Sequence, residues 1–293
     1  ALIIKELAVF RAIKRCKISR CYLLCYLAYL CTPLKPSIMT GNIEVMSPAG
    51  SFDSLMAAIQ GGADSVYFGI EQLNMRARAA NNFTFDDLDK IADICQPKGV
   101  KTYLTLNTII YDHDLSLMKR IVDGVKDAGI TAIIASDQAV INYAAKVKVE
   151  VHISTQTNVT NLETVEFFSH FADVMVTSRE LSLKQVKDIT KGIERDDLRG
   201  PSGDLVRIEI FAHGALCMAV SGKCYLSLHT NNSSANRGAC VQNCRRKYTV
   251  TDEEGNALEI DNEHIMSPKD LCTIGFLDQV IDAGVTVLKI EGR

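Results

Sequence analysis

The chain has 293 residues, 47% of them hydrophobic and 23% charged, with a formal net charge of −3. Its length supports one large domain with a sizeable core, which argues against a small disulfide-stapled scaffold. The first 38 residues carry seven Lys or Arg against one acid, so residues 39–293 hold a net −9, which disfavours a broad phosphate-binding face.

Residues 1–38 read as an N-terminal extension outside the fold. Their apolar run, Cys21 to Cys31, is eleven residues long, whereas a spanning helix needs about 20. Thr32-Pro-Leu-Lys-Pro36 is a poor signal-cleavage site. Met39 follows, so translation upstream of a natural start explains the segment; a targeting or anchor segment is the alternative. No stable membrane association and a cytoplasmic location are expected.

From residue 39 to 293, β-rich runs alternate with helical ones. Strands are predicted at Ile43–Met46, Ser65–Gly69, Lys101–Asn107, Ala132–Ser136, Glu150–Thr155, Asp173–Ser178, Arg207–Gly214 and Val287–Glu291. Helices are predicted at Ser51–Gln60, Asp86–Gln96, Asp114–Asp127, Gln138–Lys146, Leu162–His170, Leu183–Ile193 and Ile274–Ala283. Ser51 and Asp114 stand as N-caps, and Gly61, Gly99, Gly129 and Gly284 as C-caps. Strict alternation implies a parallel sheet, and eight strands imply a closed (β/α)8 barrel. Apolar positions such as Ile208, Ile210, Leu288 and Ile290 face the outer helices. Arg207, Glu209, His213, Lys289, Glu291 and His152 then point inward. A polar interior costs free energy unless its groups satisfy one another, and ligand binding is one reason to tolerate it.

Five cysteines crowd the region 214–272, at Cys217, Cys224, Cys240, Cys244 and Cys272. Disulfides require an oxidising compartment. Zinc prefers paired CxxC-like knuckles, which intervals of six, fifteen, three and twenty-seven residues do not supply. An iron–sulfur cluster tolerates such irregular spacing and is the favoured reading. Small buried hydrophobes that happen to be cysteine remain the plain alternative.

The run Glu209-Ile-Phe-Ala-His-Gly-Ala-Leu-Cys217, continuing through Cys224 to Ser227, resembles the signature of the collagenase-like peptidase family U-32. So do Ser47-Pro-Ala-Gly-Ser51, Arg237-Gly-Ala-Cys-Val-Gln-Asn-Cys-Arg245, Ser267-Pro-Lys-Asp-Leu-Cys272 and Lys289-Ile-Glu-Gly-Arg293. The resemblance implies oxygen-independent hydroxylation with a 4Fe-4S cluster and prephenate as oxygen source. The implied substrate is a tRNA wobble uridine, a ribosomal RNA cytidine or the ubiquinone ring, and the wording is closest to the tRNA branch. Full-length members continue past the last motif, so the chain is expected to be a fragment ending after its eighth barrel strand.

Barrel sites lie at the C-terminal strand ends, here marked by Ser47, Asn107, Asp137, Gln138, Ser154, Gln156, Asn158, Arg179, Glu180, His213 and Arg293. Cys217, Cys224, Cys240 and Cys272 are the expected cluster ligands, with Cys244 as substitute for Cys240. Arg179 and Arg293 could grip a small anionic co-substrate, since a guanidinium matches a carboxylate in bidentate fashion; internal ion pairs are the competing role. His213 and Glu291 are candidates for proton transfer, Glu291 if desolvated beside Lys289, while His152 reads as structural. Arg237, Arg245, Arg246 and Lys247, beside Tyr248, form a basic patch that could contact RNA, with an ordinary solvated surface as the alternative. Expected partners are tRNA or other RNA and iron–sulfur assembly proteins. No zinc-protease helix or serine-hydrolase elbow is present, so peptide hydrolysis ranks second, ahead of a cluster-stabilised RNA-binding scaffold.

Overall fold

A computed structural model of the chain describes residues 43–75, 77, 82–257 and 264–292. The N-terminal extension, Met39 and Arg293 lie outside the described residues. Eight parallel strands form the barrel: β1 (Glu44–Pro48), β2 (Ser65–Phe68), β3 (Lys101–Leu106), β4 (Ala132–Ala135), β5 (Glu150–Ile153), β6 (Val174–Val176), β7 (Arg207–Gly214) and β9 (Val287–Ile290). Neighbours pair in the order β6-β5-β4-β3-β2-β1-β9-β7, and a β6–β7 pairing closes the circle. The (β/α)8 expectation therefore holds.

The helices between the strands are α1 (Phe52–Gly61), α2 (Leu88–Cys95), α3 (Leu115–Asp127), α4 (Gln138–Val147), α5 (Leu162–Ser169) and α6 (Leu183–Arg195). The short α7 (Leu226–Asn231) and α8 (Leu277–Asp282) follow. Ser51 caps α1 through a reciprocal bond pattern with Ser54. The left-handed cap of α1 is Gly62, one residue beyond the predicted Gly61; Gly99, Gly129 and Gly284 do take positive φ. Asp114 does not cap α3: its carboxylate accepts from the Tyr111 N–H at 2.8 Å and from Arg237, so a competing charged donor has claimed it.

Side-chain alternation sorts the core into two parts. Outward residues such as Val45, Val66, Leu104, Ile133, Val151 and Leu288 join the helices in one large apolar layer. Inside the barrel, Met46, Tyr67, Tyr103, Ala132, Ile134, Val174 and Val287 make a smaller apolar plug. Polar groups lie above and below that plug, as the predicted inward faces required. Below it, Glu44 accepts from Tyr103 Oη at 2.6 Å, Lys101 Nζ at 3.1 Å and Arg207 Nη1 at 2.9 Å. His152 is fully buried, bonds Glu150 at 3.0 Å and packs on Tyr103, below the plug and away from the C-terminal strand ends. Burial alone would raise the Glu44 pKa; the Tyr103 hydrogen bond and the charges of Lys101, Arg207 and His152 overcome it and lower the value to about 2.

One strand was not predicted. β8 (Leu271–Cys272) adds antiparallel to the overhanging end of β7, pairing Cys272 with His213 and Leu271 with Gly214. Gly214 has φ 112°, and a Cβ there would lie 2.5 Å from the Glu291 carbonyl oxygen, so this crossing requires glycine.

Candidate active site

The strands deliver polar side chains to the C-terminal mouth, and residues between Ala215 and Arg245, with Met266, cover it. Between them is a cavity of about 470 Å³. Its floor comes from strand ends: Tyr67, Thr105, Asn107, Ser154, Gln156, Arg179, Phe211, Lys289 and Glu291. Its roof carries Cys217, Cys224, Cys240 and Cys244. Cys272 is exposed and does not line the cavity, and neither does its strand partner His213. The fifth cysteine thus stands apart from the four whose loops converge.

Local contacts orient those four. The Leu226 N–H points at Cys224 Sγ (3.4 Å), the Gln242 N–H at Cys240 Sγ (3.4 Å), and the Ser227 hydroxyl towards Cys240 Sγ (4.0 Å). Such donors stabilise thiolate sulfur. Burial pushes the Cys244 thiol up, the Arg245 guanidinium opposes this, and Cys217, Cys240 and Cys224 add to the rise. Among the described residues, no three of His, Cys, Asp or Glu converge closely enough to hold a single metal ion. The thiols are spread around the cavity instead of meeting at a point.

The floor is held by two crossed ion pairs. Lys289 Nζ donates to Glu209 Oε1 at 2.8 Å, with both residues nearly inaccessible. Arg179 Nη2 donates to Glu291 Oε2 at 3.2 Å. Lys289 also lies 4.6 Å from the Tyr67 ring centre, and Arg179 stacks 4.0 Å over Phe211. The sequence placed Glu291 beside Lys289. The structure gives Lys289 to Glu209 instead, and Glu291 to Arg179, the internal ion pair that the sequence offered as the competing role of Arg179. Lys289 and Glu209 were visible only as inward polar residues, because a pairing across 80 residues leaves no local signal; Tyr67 and Phe211 were not singled out by the sequence.

The basic patch divides. Arg237 donates to Asp114 and to the Ile109 carbonyl at 2.6 Å and stacks 4.2 Å over Tyr111. Arg245 donates to Ser267 Oγ at 2.5 Å, to the Pro268 carbonyl at 3.1 Å and to the Leu216 carbonyl. Both hold the cysteine loops in place. Arg246 and Lys247 face solvent, while Tyr248 Oη is committed to the Asn243 carbonyl at 2.9 Å. No helix among the described residues is long and apolar enough to cross a membrane.

The architecture is that of a (β/α)8 barrel enzyme scaffold with a cysteine-rich cover over its mouth. The chain belongs to peptidase family U32, whose family model matches residues 50–293. It is 63% identical over 253 residues to a protein of Porphyromonas gingivalis named collagenase, covering 86% of this chain and 61% of that protein. It is 33% identical to tRNA hydroxylation protein P1 of Bacillus subtilis, covering 87% and 60%. It is 34% identical to an Escherichia coli protein named as a 23S rRNA 5-hydroxycytidine synthase, covering 88% and 37%. The chain spans about 60% of the length of the first two.

Proposed function

We propose that the protein hydroxylates a base in RNA, a tRNA uridine in the first instance, and that Cys217, Cys224, Cys240 and Cys244 hold a 4Fe-4S cluster for this chemistry. The observation that carries the proposal is the gathering of four thiols on the roof of one cavity whose floor is built from the barrel's strand ends. The donor set fits in its chemistry: all four are cysteines lining one cavity, and backbone N–H groups point at two of the sulfurs. Bound there, a 4Fe-4S cluster would supply one-electron redox capacity. The relatives named for RNA hydroxylation support the same reading.

The remaining roles fall to the chain's own residues. Replacing C–H by C–OH on a base removes two electrons from it. A hydroxyl donor such as prephenate gives up its C–OH bond and takes those two electrons and the hydrogen, so the exchange balances without molecular oxygen. Arg179, held by Glu291 through Nη2 and with its Nε uncommitted among the described residues, is the group that could grip a carboxylated donor at the floor, while the Lys289–Glu209 pair fixes the floor around it. Arg246, Lys247 and the exposed Tyr225 offer phosphate contact and stacking at the rim.

Peptide hydrolysis is the second reading, favoured by the collagenase name of a close relative and by Cys272 standing opposite His213 on paired strands. Anaerobic purification of the full-length protein, with iron and sulfide analysis and incubation with unmodified tRNA and prephenate, separates the two. The proposal requires about four irons per chain and new hydroxylated nucleoside. Cleavage of collagen by iron-free protein, with RNA unchanged, contradicts it.

A further inference from the structure

Gln156 lies in the cavity wall, and a chain of contacts fixes which way its amide points. The chain begins at a group that can only donate: the backbone N–H of Met75, which bonds Asn107 Oδ1 at 3.2 Å. Asn107 therefore turns its Nδ2 towards Gln156 Oε1 (3.4 Å) and Ser154 Oγ (3.5 Å). The Ser154 hydroxyl donates to the same Gln156 Oε1. With Oε1 occupied by two donors, the Gln156 Nε2 hydrogens are directed elsewhere, and no described residue accepts them. Nε2 stands beside Gly222, where an added Cβ would be 3.5 Å from it, and both residues line the cavity that holds Cys217 and Cys240. Glycine at that position leaves the amide uncovered.

A wall that offers only a donor discriminates between pyrimidines. Uracil carries a carbonyl acceptor at position 4, and cytosine carries an amino donor at the same place. A fixed N–H donor bonds the first and opposes the second, and a buried donor left unmatched costs the complex its desolvation. The geometry points to Gln156 as a specificity residue that selects a base with a carbonyl at position 4, uracil over cytosine, with Asn107 and Ser154 as the positioning residues that hold its amide. This inference rests on the RNA-hydroxylation reading and identifies the base that the site admits.

The test is competition binding to the full-length, cluster-loaded protein. The probes are two single-stranded RNA oligonucleotides identical except for uridine or cytidine at one position, with a third carrying a pyrimidin-2-one nucleotide that has no group at position 4. Wild type should prefer uridine over cytidine by about tenfold, with the third probe between them. Gln156→Glu presents an acceptor in the same shape and should reverse the order. Gln156→Met presents neither donor nor acceptor and should bring the ratio close to one. Cluster absorbance and melting temperature identify any variant that has lost its fold, and the remaining one then decides. A uridine-to-cytidine ratio that does not move in the folded variants, or equal binding of both by wild type, overturns the inference. If hydroxyuridine forms while that ratio stays fixed, the inference alone fails. If the ratio shifts as stated and no base is hydroxylated, the functional reading fails and the inference stands.

Discussion

Arg237 donates to both carboxylate oxygens of Asp114, at 2.6 and 3.2 Å, across 123 residues of chain. The pair joins the loop after β3 to the middle of the cysteine-rich cover. Next to it, Gly238 (φ 80°) packs against Asn74, whose carbonyl oxygen would be 2.2 Å from an added Cβ. Cover and barrel are therefore fastened by side chains that sequence alone assigns to RNA. Arg237→Ala should cost about 2 kcal/mol in chemical denaturation and lower iron content while the barrel's circular dichroism persists. Loss of RNA affinity with stability unchanged would restore the RNA-binding role.

The same pair carries a pH signature. The Arg237 hydrogen bond holds the Asp114 carboxyl below the ordinary aspartate range, against burial that would raise it. A depressed carboxyl contributes stability above its unfolded pKa and loses it as pH falls through the folded value. Cluster loading should thus weaken at acid pH in wild type, and this pH dependence should be flatter in Asp114→Asn.

At the opposite end of the barrel, Glu44 is lowered to about 2 by Tyr103, Lys101, Arg207 and His152 acting against burial. Its contribution, on the order of 3 kcal/mol, is complete above the ordinary glutamate value of 4.5 and is lost as pH falls towards 2. Glu44→Gln should remove most of the difference between unfolding free energies measured at pH 6 and pH 3. An unchanged pH profile would show that the network does not couple to folding.

The buried Lys289–Glu209 pair is expected to behave as a unit. Lys289→Met strands a carboxylate that is already fully buried, at a cost of about 3–5 kcal/mol, whereas Lys289→Met with Glu209→Gln should recover much of it. Equal destabilisation by the single and double variants in urea titrations would contradict the pairing.

The barrel was legible because its signals are local: period-two strands, caps such as Ser51, and polar residues alternating onto the inner face. The two-residue β8 was not, since Leu271–Cys272 is too short for any period and exists only because β7 overhangs the mouth. The cysteine loops were found by composition. Sequence offered Cys244 only as a substitute for Cys240 and took Cys272 as the fourth ligand. The fold puts Cys240 and Cys244 together on the cavity and leaves Cys272 outside. Likewise, a basic residue's partner is set by tertiary contact, so Arg237 and Arg245 could not be told from Arg246 by their neighbours in the chain.

The ligand set gives a direct prediction. Serine at Cys217, Cys224, Cys240 or Cys244 should bleach the anaerobically purified protein, and Cys272→Ser should keep its absorbance and iron. Loss of colour in Cys272→Ser, with retention in Cys244→Ser, would return the fourth position to Cys272.

The central claim, a cysteine-held cluster serving RNA base hydroxylation, is tested most directly by mass spectrometry of tRNA nucleosides. The cells should lack their own enzyme and carry either the full-length wild type or its Cys217→Ser variant. The account predicts that 5-hydroxyuridine returns with wild type and stays absent with Cys217→Ser. No hydroxyuridine with soluble, iron-loaded wild type, or equal amounts with both proteins, would contradict it.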